Sequence, residues 1–265
     1  MDNNRTLSIV IPAYNEETRI GATLEEFGKF FEEKKRKKEL KDFEILVVLN
    51  ACKDNTLEIV KKYKKKFAEI RYLDLEKGGK GFAITEGFKD ALSRKNDLIG
   101  FVDADMATSP TEFYSLIKNI GDYEGIITSR AIRGAKANFT LIRKITHRGF
   151  NFLVRSILLL PYQDTQCGAK LFKREVIKNI VNEVRITEWA FDINLLYLCK
   201  KKRFKIKEIP TVWEDKRGSK LRVIKTTIQM FLAVVRLRLI YSIFEPILKP
   251  IKFILIWANK IIYQK

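Results

Sequence analysis

Leu98-Ile99-Gly100-Phe101-Val102-Asp103-Ala104-Asp105 joins a five-residue apolar run to two carboxylates spaced two residues apart. The run has the length and composition of a strand buried on both faces. Two carboxylates at the end of such a strand can present oxygens to a divalent cation. Mg²⁺ prefers oxygen ligands and commonly shares them between a carboxylate and a diphosphate. A metal held there could stabilise a departing nucleotide diphosphate, so the stretch points first to an enzyme acting on a nucleotide-activated substrate. Acidic pairs also cap helices and end strands. The meaning of this one therefore depends on its surroundings.

Upstream, strand and helix signals alternate. Leu7 to Pro12 is a short apolar run, followed by a helical stretch from about Glu16 to Lys38. Glu44 to Leu49 reads as strand, Asn55 to Phe67 as helix, and Ile70 to Leu73 as a short strand. Gly78 to Gly81 makes a tight loop before a helix over Phe82 to Leu92. This alternation predicts βαβ units and a mainly parallel sheet. Ligands of such sheets bind beyond the carboxyl ends of the strands. Tyr14-Asn15-Glu16, Asn50, Gly79-Lys80-Gly81 and Asp103-Ala104-Asp105 all follow strand ends, so they are expected on one edge. Downstream, the pattern predicts strands at Gly125 to Ser129, Leu171 to Phe172 and Ile206 to Pro210, with helices near Leu141 to Leu160 and Phe191 to Lys200.

The chain has 265 residues and a formal charge of +19, more than solubility requires, which implies an anionic partner. Three scattered cysteines, Cys52, Cys167 and Cys199, lack metal-ligand spacing and argue against a disulfide framework. Met1 to Arg5 is polar and does not read as a secretory signal. The run Lys34-Lys35-Arg36-Lys37-Lys38 sits at the end of a predicted helix, where cations suit the dipole. Without interleaved aromatics it reads as a solvated terminus, and no nucleic-acid partner is expected.

From Lys216 to Lys265 there are eleven Lys or Arg and one acid, Glu245, among abundant aliphatic residues. On a helix from Leu221 to about Phe244, Arg222, Lys225, Gln229 and Arg236 form one polar stripe; beyond Glu245-Pro246 a second helix would group Lys249, Lys252 and Lys260. Charges recur too often for the roughly 20 apolar residues of a spanning helix. Basic amphipathic helices in a membrane interface fit better, with oligomer packing as the structural alternative. The expected division is a catalytic domain over 1–220 and membrane-interface helices over 221–265.

Read together, these segments resemble the family 2 glycosyltransferases of the polyprenyl-phosphate sugar synthase type, nearest the dolichyl-phosphate glucosyltransferase branch. Ile11-Pro12-Ala13-Tyr14-Asn15-Glu16 matches the family's opening nucleotide motif, Gly79-Lys80-Gly81 its Gly-Lys-Gly loop, and Asp103-Ala104-Asp105 its metal motif. Asp105-Met106-Ala107-Thr108 is similar to the glucosyl branch, where the mannosyl branch commonly has Gln at the place of Ala107. Ser129-Arg130-Ala131, Asp164-Thr165-Gln166-Cys167-Gly168, Lys170-Leu171-Phe172, Trp189-Ala190-Phe191-Asp192 and Gly218-Ser219-Lys220-Leu221 each resemble that branch too. The likeness runs in consistent order from about Ser8 to Leu221. One departure stands out: the family usually carries two Asp after the second strand, the second of them contacting the base. Here Leu49-Asn50-Ala51-Cys52 occupies that stretch, and Asn50 leaves the base open between UDP and GDP.

The resemblance implies a Rossmann-like, nucleotide-sugar-binding (GT-A) fold with a mainly parallel sheet. It implies an inverting transfer of a monosaccharide, glucose favoured, from a nucleotide diphosphate sugar to dolichyl or polyprenyl phosphate. UDP-glucose is the favoured donor and GDP-mannose, or a different acceptor, the alternative. It further implies Mg²⁺ or Mn²⁺ and work at the cytoplasmic face of a membrane. On this reading Asp105 is the first choice of metal ligand and Asp103 the second. Pro12, Ala13, Tyr14, Glu16, Asn50, Lys80, Asp103, Gln166 and Lys220 line the nucleotide-sugar site, and Arg130, Arg143 and His147 grip the acceptor phosphate. Asp105, Asp192 and Arg130 form the catalytic set. The acceptor phosphate is already anionic, so the site must supply positioning and charge neutralisation more than a base. Asp192 either orients a sugar hydroxyl, acts as a base, or is a structural acceptor beside Trp189 and Phe191. For Arg143 and Arg148 a solvated helix face is the competing account, for Lys80 a surface turn, and for His147 a structural role. Cys167 reads as a small buried residue.

Overall fold

The computed structural model describes residues 4–139, 141–185, 190–213 and 223–241, with backbone alone given at 141–143 and 223–229. Its frame is set by four apolar strands, β1 (Thr6–Ala13), β2 (Asp42–Asn50), β3 (Ile70–Leu75) and β4 (Leu98–Val102), paired in parallel in the order β3-β2-β1-β4. Parallel neighbours need crossover connections, here α1 (Ile20–Arg36), α2 (Thr56–Lys66) and α3 (Lys80–Ser93). Both faces of the strands are covered, which is why β1 and β2 read as continuous rather than alternating apolar runs. Ile9, Ile11, Ile45 and Val47 pack beneath Leu24, Phe27 and Phe31 of α1. Val10, Leu46, Val48 and Phe101 pack on the other face beneath Ala83, Ile84 and Phe88 of α3.

The second half extends the sheet. After α4 (Pro110–Asn119) come β5 (Gly125–Ser129), β6 (Lys136–Ala137), α5 (Leu141–Leu158) and β7 (Ala169–Lys173). Then follow α6 (Arg174–Ile180), α7 (Phe191–Lys201), β8 (Ile206–Pro210), β9 (Val212–Trp213) and α8 (Val223–Ile240). The full order is β3-β2-β1-β4-β7-β5-β8, with β7 antiparallel to both β4 and β5, and β6 pairs with β9 in a separate ribbon. The expected mainly parallel α/β sheet is therefore observed.

Several boundaries differ from the sequence reading, for local reasons. Glu16 to Arg19 form a turn rather than helix: the Glu16 N–H donates to Thr56 Oγ1 (2.8 Å) and the Glu17 N–H to Asp54 Oδ2 (3.1 Å), tying the turn to the start of α2. The Gly78–Gly81 loop is shorter than expected, because Lys80 already opens α3. α4 and α6 occupy stretches to which the sequence reading assigns no element. α4 nonetheless carries a start signal, Ser109 capping the Glu112 N–H at 3.2 Å with Pro110 in the first turn. The basic run closes α1 with its charges met locally: Lys34 pairs with Glu39, Lys35 with Asp42 and Glu69, and Lys37 with Glu33.

The helix expected from Leu221 to about Phe244 is observed as α8. Its Val234, Leu237 and Ile240, three residues apart, are buried, and the first two share a cluster with Val154 and Leu158 of α5 and Ile193 and Leu196 of α7. The described part of the tail is thus docked on the catalytic body. Among the described residues no helix is long and apolar enough to cross a membrane. The helix expected after Glu245-Pro246, with Lys249, Lys252 and Lys260, lies outside the described residues, as do the side chains of Arg222, Lys225 and Gln229.

Candidate active site

Parallel pairing of β1, β2 and β4 brings their carboxyl ends to one edge. Sharp turns there hold Asn15, Ala51 and Met106 at φ 52°, 54° and 59°. The left-handed conformation suits Asn but costs roughly 1–2 kcal/mol for a residue such as Ala or Met. Three of the seven non-glycine residues with positive φ among the described residues thus lie at this edge. The loops are laced to one another: the Lys53 N–H donates to Asn15 Oδ1 (2.8 Å) and the Asn55 N–H to Glu17 Oε2 (2.9 Å). Within the opening motif, Pro12 and Ala13 are buried in the last two positions of β1, so they can offer a ligand only backbone. Glu16 is buried and pairs with Arg19, whereas Tyr14 is 57% exposed at the rim. Asn50 ends β2, buried, and its Oδ1 has no hydrogen-bond partner among the described residues. A buried acceptor without a donor costs about 1–3 kcal/mol, a debt that a ligand N–H would cancel.

Asp103 and Asp105 follow β4 at the same edge. Asp103 Oδ1 accepts from Lys80 Nζ at 2.5 Å, and both side chains remain partly exposed. Its backbone N–H donates to the Gly168 carbonyl at 3.1 Å. The approach is so close that a Cβ at position 168 would collide with the Asp103 carboxylate. Asp105 Oδ1 accepts from the Ala107 N–H at 3.1 Å, closing the turn around Met106. Burial opposes the Lys80 charge, but the carboxylates of Asp103, Asp192 and Asp105 outweigh it and push its pKa up to about 12. Lys80 is thus a fixed cation. Among the described residues no cluster of three or more His, Cys, Asp or Glu could cage a metal unaided. Two hard carboxylate donors do suit Mg²⁺ or Mn²⁺ held jointly with a diphosphate, so the donor set fits such an ion.

Beside this pair lies a buried ion pair that the sequence reading does not anticipate. Lys170 sits mid-strand in β7 and is fully buried; its Nζ donates to Asp192 Oδ1 (2.5 Å) and to the Cys167 carbonyl (2.7 Å). The Lys170 ammonium also lies over the Phe101 ring, 5.3 Å from its centroid, with Lys80 at 6.0 Å from the same ring. Asp192 lies in the first turn of α7, whose first residue, Phe191, packs so tightly on Gly81 that no Cβ would fit between them. These contacts tie Lys80, Asp192 and Lys170 into one wall. Of the alternatives for Asp192, the structure supplies a buried cation as its partner.

A third cluster surrounds Asp164, whose side chain is fully buried. Arg130, placed directly after β5, forks onto it through Nε (2.7 Å) and Nη2 (2.9 Å) and also donates its backbone N–H (3.0 Å). His147 Nε2, from α5, lies 3.1 Å from Asp164 Oδ1 and 3.3 Å from Arg130 Nη2. Burial disfavours the Asp164 anion, yet the Arg130 charge and the bonds from Arg130 and His147 hold its carboxyl well below the usual range. Arg130 is raised in turn: burial works against it, but Asp164 dominates, and Asp103 adds a further contribution. The last effect puts the two clusters within electrostatic reach of each other. Asn151 fixes the assembly, donating to the His147 carbonyl (3.0 Å) and accepting from the Thr165 N–H and hydroxyl (3.0 Å each). Phe139 and Trp213 flank the guanidinium at 5.7 and 5.3 Å, and Phe139 stacks on His147.

The structure therefore gathers Asn50, Lys80, Asp103, Asp105, Asp192, Arg130 and His147 around one sheet edge. Gln166 is half-buried nearby, its N–H donating to Asp164 Oδ1 at 3.2 Å. Cys167 is buried and its thiol pushed up by that burial, in keeping with a packing residue. The Arg143 side chain, Trp189 and Gly218-Ser219-Lys220-Leu221 lie outside the described residues. The sequence reading gives no site role to Asp164, Asn151 or Lys170. Lys170 does carry a signal, a lone cation inside the strand run Ala169-Lys170-Leu171-Phe172.

A doubly covered, mainly parallel sheet with paired carboxylates at its carboxyl edge and a basic cluster alongside is the architecture of a nucleotide-sugar transferase. Residues 8–181 match Glycosyl transferase family 2, and the chain belongs to that family. It is 34% identical over 254 residues to the dolichyl-phosphate beta-glucosyltransferase of Dictyostelium discoideum, covering 90% of this chain and 76% of that one. With the dolichyl-phosphate beta-glucosyltransferase of Homo sapiens it shares 32% identity over 249 residues, covering 89% and 76%. Among solved structures, glucosyl-3-phosphoglycerate synthase from Mycobacterium tuberculosis with UDP superposes at a TM-score of 0.65 and 16% identity, covering 88% of this chain and 80% of that one. The same enzyme with Mn²⁺, UDP-glucose and phosphoglyceric acid gives a TM-score of 0.65 at 17% identity, with the same coverage. The expected family and GT-A fold are thereby established.

Proposed function

We propose that this chain transfers glucose from UDP-glucose to dolichyl phosphate, with inversion at the anomeric carbon, at the cytoplasmic face of a membrane. The observation that carries this reading is the meeting of two clusters at one edge. A carboxylate pair with a fixed Lys80 cation suits a sugar nucleotide, and an Arg130–His147 grip locked by Asp164 suits a phosphate monoester. The shared name of the relatives supplies the acceptor and the sugar.

An oxygen of the acceptor phosphate attacks the anomeric carbon as the bond from that carbon to the diphosphate oxygen breaks. The nucleophile is anionic, so no proton has to be removed. Asp103 and Asp105 would hold a divalent cation, whose chemistry is to neutralise charge on the departing diphosphate. Lys80 adds a second positive charge beside them. Asn50 offers its unpartnered Oδ1 to a base N–H such as that of uracil. Arg130 and His147 orient the acceptor phosphate, the Arg through the guanidinium N–H groups that its fork onto Asp164 leaves over. Asp192, its Oδ1 bound by Lys170, accepts from a sugar hydroxyl; this pairing favours an orienting role over that of a base. Lys220 and Arg143 complete the expected donor and acceptor sets.

The test is organic-extractable label formed from labelled UDP-glucose and dolichyl phosphate, with Mg²⁺ or Mn²⁺ and again after chelation. GDP-mannose and a non-phosphorylated lipid serve as parallel arms. Product from UDP-glucose alone, lost on chelation, is expected; product only from GDP-mannose, or none at all, overturns the assignment. Asp105→Ala should lower turnover by at least about a hundredfold, as loss of a charge-stabilising group does, with an unchanged melting transition.

A further inference from the structure

α5 has two faces of opposite character. His147, Phe150, Asn151, Val154 and Leu158 turn inward, the first and third into the Asp164 cluster and the others into apolar packing. The outward face is not the polar surface that a solvated helix would present. Ile145, Phe152 and Leu159 are 63%, 67% and 64% exposed. They are spaced by sevens, and on an α-helix each such step drifts by only about 20°. Ile145 and Phe152 therefore lie on one line along the helix, and Leu159, one residue past its end at φ 54°, adds a third exposed apolar side chain there. Leu153 widens this apolar ridge on one side. Lys144, Arg148 and Arg155, all exposed, run along the other, and no acid occurs anywhere in α5.

We propose that this face of α5 is a docking surface for an anionic lipid bilayer. An exposed apolar ridge flanked by cations matches a surface whose interior is apolar and whose headgroups are negative. Charge selects the occupant: the basic flank, on a chain of net charge +19, suits anionic headgroups and repels a second copy of itself. The inference places membrane contact within the catalytic body, in addition to the tail where the sequence reading puts it. It rests on the proposed function only for the identity of the acceptor. Because His147 projects from the opposite side of the same helix, docking would set the phosphate grip about one helix diameter, roughly 10 Å, from the bilayer plane.

The experiment uses the full chain and vesicles of phosphatidylcholine, with and without phosphatidylserine. The parent is expected to sediment with the anionic vesicles at least about tenfold more strongly than with neutral ones. Phe152→Ser with Leu159→Ser should weaken that partition at least tenfold, and Lys144→Glu with Arg155→Glu should abolish the preference for anionic lipid. Both variants should keep the parent's rate toward a short-chain, water-soluble isoprenyl phosphate while losing rate toward dolichyl phosphate in vesicles. A conservative probe guards against misfolding: Phe152→Trp should show fluorescence quenched by brominated lipid. Unchanged partition of the Ser variant, together with no quenching of the Phe152→Trp variant, overturns the proposal, as does a parent dimer that the Phe152 and Leu159 substitutions dissociate. Failure of the glucosyl assay with vesicle binding intact would overturn the proposed function and leave the docking surface standing.

Discussion

Asp164 shows how a single buried carboxylate can set the geometry of a site it need not touch. It holds Arg130 in a fork and His147 in the same set of contacts, and its own N–H is fixed by Glu208 at 2.8 Å. Replacing it by Asn removes the charge and leaves a mostly buried guanidinium without its counter-ion. Breaking such a pair from one side costs about 3–5 kcal/mol. Asp164→Asn should therefore melt well below the parent and raise the KM for the lipid phosphate at least tenfold, with the KM for UDP-glucose little changed. The pH dependence follows from the direction of the shift. The folded pKa is depressed, so the pair's contribution is full above the unfolded value of about 3.9 and fades only as pH falls towards the lower folded value. Urea titrations at neutral pH and near pH 5 should accordingly show the same difference between parent and variant. Lys170 makes a parallel case. Lys170→Met leaves Asp192 buried without its cation, and should both destabilise the chain and lower kcat. Lys170→Met with Asp192→Asn should recover stability without recovering turnover, which a double-mutant cycle reads directly. If the double variant regains turnover, Asp192 has no part in orienting the sugar. These partnerships are not legible in the sequence, since Arg130 and Asp164 stand 34 residues apart and Lys170 and Asp192 22 apart. Only folding tells which acid meets which cation.

At the scale of elements, the parallel half is readable because its physics is local. A strand covered on both faces must be apolar throughout, and a parallel neighbour demands a crossover helix, so β1 to β4 and their connections announce themselves in order. β7 is harder to place, for its antiparallel insertion between β4 and β5 depends on contacts distant in sequence. That insertion is what carries Gly168 to Asp103. Because the Cβ of any other residue would displace the carboxylate, Gly168→Ala is expected to shift Asp103 rather than unfold the sheet. The expected result is a raised metal requirement, read as the Mn²⁺ or Mg²⁺ concentration for half-maximal rate, with a melting temperature within a few degrees of the parent. An unchanged metal dependence would show that Asp103 is not a ligand. α4 is foreshadowed by Ser109-Pro110 and the Glu112 three residues after the cap, a signal that composition alone does not bring out.

At the scale of the whole molecule, the apolar cluster shared by α5, α7 and α8 changes how the chain's end is understood. A sequence rich in Lys, Arg and aliphatic residues reads as a surface-seeking tail, and periodicity cannot say whether its apolar face meets lipid or protein. The described helix answers part of this. α8 seats Val234 and Leu237 among α5 and α7, and its neighbour Tyr241 donates to the Glu183 carbonyl and accepts from Asn194 Nδ2 at 3.1 Å. α5 is thus held between the Asp164 cluster on one side and α8 beside it, and the proposed acceptor grip rests on both. Leu237, fully buried, is the point at which to test this coupling. Leu237→Ala removes methyl groups from a packed site and should cost about 2–5 kcal/mol. Arg238, exposed on the same helix with a 3.4 Å contact to Tyr197, should cost no more than about 0.5 kcal/mol when cut to Ala. Thermal melting of the two variants should separate them by many degrees. At a temperature where both remain folded, Leu237→Ala should also weaken affinity for the lipid phosphate more than affinity for UDP-glucose, because α8 packs directly on α5 and reaches the donor side only through α7, which carries Asp192. Equal melting temperatures, or a loss confined to the donor, would show that α8 is not part of the catalytic body's core.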